Sequence, residues 1–439
     1  MLLAVAIFAV PWPKPWLVRV ALALVAGALV GMFWFFMILL VALVFAELAS
    51  RWPLDGSVYQ WVRRLASRGL GWITGWLFAS TLAISTASVS YSAALFVGPA
   101  FGLGTFDSTT TLLVALAVLA IVTLINAAGR KWIKYLVGGA LIAELVGSAY
   151  LWSGFAAAIA FVGWSFVGFE SASSIAEEVK RPRRAVPKAM IASVLLVAAV
   201  VSFSALSVIL AIPDLDAALS GEGGDPVVDT LLVQHGPGLA QPIFILFLVA
   251  FLATLIAVQT SASRMVFALA RDKALPGAAA LRKLRERDRM PVNAVVVVAV
   301  AAALVMLTTL LGEVYGMLIG FTVGGFFFTF TLVLWTVLVA RVRRGWTPGS
   351  FSLGRLGMVI TVIAALWALF QFVNIAWPRT PSAPWYVNYA VPLMIGILLL
   401  IGLFVYRAVG ARMLPPMPVP EDDEHTVSVA VPAARKENS

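Results

Sequence analysis

Apolar runs of about 20 residues recur along the chain, each closed by a short polar or basic stretch. A run of that length spans the hydrocarbon core of a bilayer as a helix. The alternating segments of roughly ten residues that mark a membrane β-barrel are absent. The pattern therefore predicts an all-α polytopic membrane protein. Spans are expected at about 28–49, 71–99, 109–128, 135–152, 155–176, 189–212, 241–263, 291–311, 315–340, 356–376 and 386–407. Ahead of these, ten apolar residues run into Pro11, Pro13 and Pro15, so residues 1–27 are expected as an atypical or truncated first span. Residues 28–412 form the membrane domain, and the proline-rich, acidic residues 413–439 a disordered tail. Ser153 and Gly154 alone separate two of the spans, a tight connection that must unwind the flanking helices.

Charge orients the pattern. Arg51, Arg63, Arg64 and Arg68, the cluster from Lys180 to Lys188, the cluster from Arg264 to Arg289, and Arg341, Arg343 and Arg344 fall in alternate connections. Residues 214–229 carry Asp214, Asp216, Glu222, Asp225 and Asp229 without lysine or arginine. Basic loops face the cytoplasm, so the acidic loop, with His235 beyond it, is expected outside and the C-terminus inside. The net charge of +10 is thus spent on topology, which argues against nucleic acid as a partner. Only 12% of residues are charged and 62% are hydrophobic, far from a soluble composition. There is no cysteine, and the two histidines lie far apart, so no thiol, disulfide or zinc chemistry is indicated. No phosphate-binding glycine loop follows a strand, and no catalytic constellation supports an enzyme.

Acids at membrane depth are costly without a partner or a task. Glu170 lies mid-span in VGFESA, behind Gly168 and ahead of Ser171, Ser173 and Ser174. It reads either as a protonated acid bonded to a neighbouring helix or as a substrate or proton site. Glu144 has only Gly147 and Ser148 one turn on, and the same two readings hold. Glu47, Glu177 and Glu178 sit near basic loops and are expected to pair with arginines. Gly312, Gly316, Gly320 and Gly324 make one smooth helix face suited to close packing. Tryptophans and phenylalanines are expected mostly at lipid-facing and interfacial positions.

Several stretches together carry a resemblance. FAELASRWPLDGSVYQW (45–61), WSFVGFESASSIAEEVKRPRRAVPKA (164–189), SRMVFALARDKALP (263–276) with PVNA (291–294), and FVNIAWPR (372–379) with WYVNYA (385–390) follow one another in order. In this the chain resembles the amino acid–polyamine–organocation superfamily of secondary transporters, in its amino acid/choline/GABA permease-like branch. The resemblance implies a leucine-transporter-type fold of two inverted five-helix repeats plus two C-terminal helices, about 12 spans with the first incomplete. It implies a substrate held at the broken middle of the sixth span. Trp164 is then the covering aromatic, and the backbone of Ser165, Phe166, Val167 and Gly168 the carbonyl-rich segment. Phe169 and Glu170 complete the substrate-binding set, with Glu170 and Glu144 as candidates for proton coupling.

The implied function is alternating-access symport or exchange of an amino acid, GABA, choline or a polyamine-like solute across the plasma membrane. No cofactor is implied beyond H⁺ or Na⁺. The family's first-span glycine–hydroxyl break has no counterpart in residues 1–31, which hold Gly27 and Gly31 without neighbouring hydroxyls. That departure motivates the alternative of a non-transporting or truncated homologue acting as sensor or scaffold.

Overall fold

A computed structural model describes residues 15–129, 167–211, 226–311, 315–344, 346–378 and 384–416. The described residues are almost wholly helical. Nine of their helices are long and apolar enough to cross a membrane. The spans expected at 135–152 and, for its larger part, 155–176 lie outside the described residues.

Helix α1, Pro15–Arg51, runs without a break through the boundary expected near residue 27. A turn leads to the short helix α2, Ser57–Leu65, and then to α3, Arg68–Ala100, capped by Ser67, whose hydroxyl accepts from the Leu70 N–H at 3.2 Å. Helix α4, Ser108–Ala128, is capped likewise by the Asp107 carboxylate on the Thr109 N–H. These polar caps satisfy orphan N–H groups and fix where each span begins. After the turn at 167–170 come α5, Ser171–Ser174, a 3₁₀ turn at Ala176–Glu178, and α6, Pro182–Ala211.

Helix α7, Pro226–Arg271, begins well before the expected start at 241, inside the stretch read as an external loop; His235 falls within it. It breaks at Gly236, whose φ of 65° is followed by Pro237, a residue with no N–H to continue the ladder. The remaining helices are α8, Ala278–Leu281; α9, Val292–Leu307; α10, Tyr315–Arg344; α11, Gly357–Ala376; α12, Trp385–Asn388; and α13, Ala390–Val409.

Helix α3 is the hub, packed against α2, α4, α7, α9, α10 and α13. Its sequence explains this position. Thr74, Thr81, Thr86, Ser88, Ser90 and Ser92 are small and buried, and each returns its hydroxyl to the carbonyl four residues back. The face is thereby polar in composition but has satisfied donors, and neighbouring backbones can approach closely. A Cβ on Gly325 of α10 would lie 2.4 Å from the Thr81 hydroxyl. The glycine face of α10 is partly as expected: Gly324 meets Val391 of α13, where an added Cβ would lie at 2.5 Å. Gly316 has no neighbour within 4 Å, and Gly312 lies outside the described residues.

The aromatic residues divide: Phe33, Phe36, Phe101, Phe370, Phe404, Trp377 and Trp385 are exposed, as expected, and a second group is not. Trp34, Trp61, Trp72, Phe45, Phe78, Phe244, Phe327 and Phe330 are fully buried between helices. Lipid tails are as apolar as a protein core, so hydrophobicity alone does not send a ring outward; edge-to-face packing draws it in. The Phe45 and Phe330 rings meet edge-on at 5.1 Å. Two of the buried indoles also find carbonyls, Trp61 donating to Trp52 at 3.0 Å and Trp72 to Ala274 at 2.7 Å.

Candidate functional site

The described chain re-enters at a turn, not a helix. Gly168 has a φ of 108°, a conformation that a side chain makes costly. Its N–H donates to Glu170 Oε2 at 3.0 Å, and its carbonyl accepts from the Ser171 N–H at 3.0 Å. The Glu170 carbonyl then accepts from both the N–H and the hydroxyl of Ser173, at 2.9 and 2.5 Å. Only one turn of α-helix forms before the backbone leaves helical geometry at Ile175. Residues 167–170 thus form a turn held by Glu170 itself, and the part of the expected interruption before residue 167 lies outside the described residues.

Glu170 is fully buried. Among the described residues, its Oε1 and the Ser174 hydroxyl have no hydrogen-bond partner. Phe169 anchors the turn between α1 and α10, its ring 5.7 Å from both Phe45 and Phe330. Among the described residues, nothing lies within 4 Å of where a Gly168 Cβ would sit. A buried carboxylate with one oxygen tied to backbone and the other unspent can accept an N–H donor or a proton. Trp164, Ser165, Phe166 and Glu144 lie outside the described residues.

A second polar centre, which sequence reasoning did not assemble, closes the basic end of the bundle. Asp272, at the end of α7, accepts from the Tyr59 hydroxyl at 2.9 Å, from Gln60 Nε2 at 3.1 Å and from the Arg63 guanidinium. Arg271 grips both oxygens of Glu177 at 3.0 Å. Glu177 and Asp55 exchange backbone-to-carboxylate bonds, at 3.0 Å from the Asp55 N–H and 3.3 Å from the Glu177 N–H. Arg264 pairs with Glu178 at 2.9 Å, and Arg341 with Glu47, which also accepts from the Leu353 N–H. The pairing expected of Glu47, Glu177 and Glu178 with arginines is therefore found.

Burial, then the neighbouring Glu177 charge, pushes the Asp55 carboxyl well above its ordinary range. Burial and then Asp272 push the Tyr59 phenol up. Burial lowers the Arg64 guanidinium to about 10. The one sequence signal for this centre is a carboxylate, Asp272, embedded in the basic run Arg271–Asp272–Lys273.

The C-terminal segment joins it. The Leu414 N–H donates to the Asp272 carbonyl at 3.0 Å, the Leu414 carbonyl accepts from Arg63, and the Met413 carbonyl accepts from Arg68 at 2.7 Å. Met413, expected to open a disordered tail, is buried in the core.

Among the described residues, nine membrane-length helices, a buried acid on a turn between packed helices, and an ion-paired plug at one end describe an integral, multi-pass membrane protein. The comparisons narrow the class. A family model described as amino acid permease matches residues 1–147 and 145–400, and the chain belongs to that family, within the amino acid–polyamine–organocation superfamily. It is 26% identical over 404 residues to an uncharacterized amino-acid permease of Schizosaccharomyces pombe, covering 80% of this chain and 71% of that one. It is 25% identical over 420 residues to the branched-chain amino acid permease BcaP of Lactococcus lactis, covering 85% and 84%. It is 24% identical over 316 residues to the low-affinity putrescine importer PlaP of Escherichia coli, covering 65% and 69%. These relatives are permeases and importers, and the chain is a transport protein, not an enzyme.

Proposed function

We propose that the protein is a secondary carrier that moves a small amine-bearing solute, an amino acid or a di- or polyamine, by alternating access. The observation that supports this reading is the turn at 167–170, where a fully buried carboxylate keeps one oxygen without a partner among the described residues. A solute ammonium supplies the missing donor. Its binding converts a costly buried acid into a compensated ion pair. In this reading residues 164–170 line the solute site. Trp164 covers the solute, the backbone of Ser165, Phe166, Val167 and Gly168 offers carbonyls to its amino group, and Phe169 keys the turn into α1 and α10.

Glu170 and Glu144 are the groups through which a proton gradient would couple; Na⁺ coupling or solute exchange uses the same site without their titration. The ion-paired end, with its arginines, faces the cytoplasm of a cell membrane, and the C-terminus lies on that side. The names of the relatives, a branched-chain amino acid permease and a putrescine importer, support amine-bearing solutes as the class.

The test is uptake into proteoliposomes of labelled leucine, putrescine and choline, with a proton gradient, a sodium gradient or unlabelled solute inside. Accumulation or counterflow of one of them is expected. Absence of both for every amine solute, in vesicles that contain correctly inserted protein, overturns the proposal.

A further inference from the structure

Beside the ion-paired end lies a groove of 460 Å³ that the solute site does not use. One wall is the turn between α2 and α3, with Leu65, Ala66, Ser67 and Leu70. The other is a face of α10, where Thr331, Trp335, Val339 and Arg343 repeat every fourth residue beside Leu332 and Thr336. Residues four apart on a helix stack along one face. From 331 to 343 that row rises roughly 18 Å, close to the depth of one leaflet of a ~30 Å hydrocarbon core.

The chemistry of the groove changes along its length. Thr331 and Thr336 spend their hydroxyls on the carbonyls of Phe327 and Leu332, at 2.7 Å each, so the deep part is effectively apolar. Trp335 and Val339 are half exposed toward the outer surface of the bundle. At the basic end stand the exposed Arg343 guanidinium and the N-terminus of α3 at Ser67, and no carboxylate lines the groove. Arg64 and Arg68 flank that turn in the chain but do not line the groove, and they bond Gln60 and the Met413 carbonyl, so Arg343 carries the charge of the lining.

We infer that this groove is a binding site for an anionic phospholipid, its acyl chain along the α10 face and its phosphate at Arg343. An apolar slot one leaflet deep, open to the side and closed by an arginine at headgroup level, matches a lipid at both ends of the molecule. A peptide or a soluble metabolite would leave either the slot or the charge unmatched. The inference rests on the membrane placement of α3 and α10 and is independent of which solute is carried.

Native mass spectrometry of the full-length protein, titrated with phosphatidylglycerol and with phosphatidylcholine, tests it. Phosphatidylglycerol is expected to bind about fivefold more tightly, the effect of one arginine near a membrane surface. Arg343→Gln should bring the two lipids level, whereas Arg287→Gln, a basic residue outside the groove, should keep the preference. Val339→Trp, which fills the slot and leaves the charge, should lower the occupancy of both lipids. Equal binding of the two lipids by the unaltered protein overturns the inference. So does a preference that survives Arg343→Gln, or one lost equally in Arg287→Gln, which would mean attraction to the basic face in general. Tight binding of glycerol 3-phosphate alone would mark a soluble phosphate site and overturn the lipid assignment.

Discussion

In the proposed site Glu170 divides its two oxygens between structure and solute. Oε2 holds the Gly168 N–H, which shapes the turn, while Oε1 is the atom offered to a donor. Glu170→Gln keeps an oxygen for the backbone and removes the charge. A charge-assisted hydrogen bond is worth about 1.5–3 kcal/mol, so apparent affinity for the solute should fall about 10- to 100-fold in uptake measurements while the protein remains folded. If Glu170 also carries the coupling proton, the variant loses gradient-driven accumulation but retains exchange.

Asp55 makes a pH prediction at the other end of the bundle. Its carboxyl is raised in the closed, buried arrangement, where it faces Glu177, Glu178, Arg264 and Arg271, and titrates near 3.8 when exposed. The closed state therefore binds the proton better, and its stabilisation is complete below the exposed value. It is lost as pH rises through the raised one. Because the chain contains no cysteine, a single Ser57→Cys probe, placed where the native hydroxyl makes no hydrogen bond among the described residues, reports this opening. Thiol labelling should accelerate with rising pH beyond the thiol's own titration, and Asp55→Asn should abolish the excess.

At the scale of elements, glycines decide where helices stop and how near they come. Gly168 has no neighbour among the described residues that an added Cβ would meet, so Gly168→Ala costs backbone strain alone, about 1–3 kcal/mol, and should lower the thermal midpoint by a few degrees without a packing defect. Gly71 is the contrasting case. A Cβ there would lie 2.6 Å from the Arg63 Cα and 2.7 Å from the Arg63 nitrogen, so Gly71→Ala must part α2 from α3. It should destabilise by about 1–3 kcal/mol and raise labelling at the Ser57→Cys probe, which Gly168→Ala should not.

The spans around these glycines were legible from hydrophobic runs, because a helix of membrane length has one dominant requirement. Expected and observed limits of α3, α4, α10, α11 and α13 differ by a few residues. The starts of α7 and α1 were less legible: Pro226 opens a helical stretch whose composition reads as loop, and α1 continues through residues too weakly patterned to mark an end. Glu170 stood out as an acid in an apolar run. The Asp55–Glu177–Arg271–Asp272–Arg63 network did not, because its members come from three separate stretches of sequence and each looks like an ordinary loop charge.

For the molecule as a whole, the basic end works as one connected body. Residues 413 and 414 clasp α2, α3 and α7 through Arg63, Arg68 and the Asp272 carbonyl, so the C-terminus is a strap across the plug. Truncation after Arg412 removes the buried Met413 side chain and leaves the buried Arg63 and the exposed Arg68 guanidiniums each short of an acceptor. Faster labelling at the Ser57→Cys probe is expected, together with a lower thermal midpoint; Met413→Ala alone, a buried-side-chain deletion of about 2–5 kcal/mol, should show part of both effects.

The sequence by itself determined that this is a multi-span helical membrane protein, which end of each span is basic, and which acid is out of place. Those properties follow from local composition, since the bilayer selects each helix on its own residues. Tertiary structure alone decided which aromatic rings are buried between helices and that Glu170 spends one oxygen on its own turn. It also decided that charges from residues 47 to 341 close one end together, because such contacts depend on which helices become neighbours, and that is set by packing between distant parts of the chain.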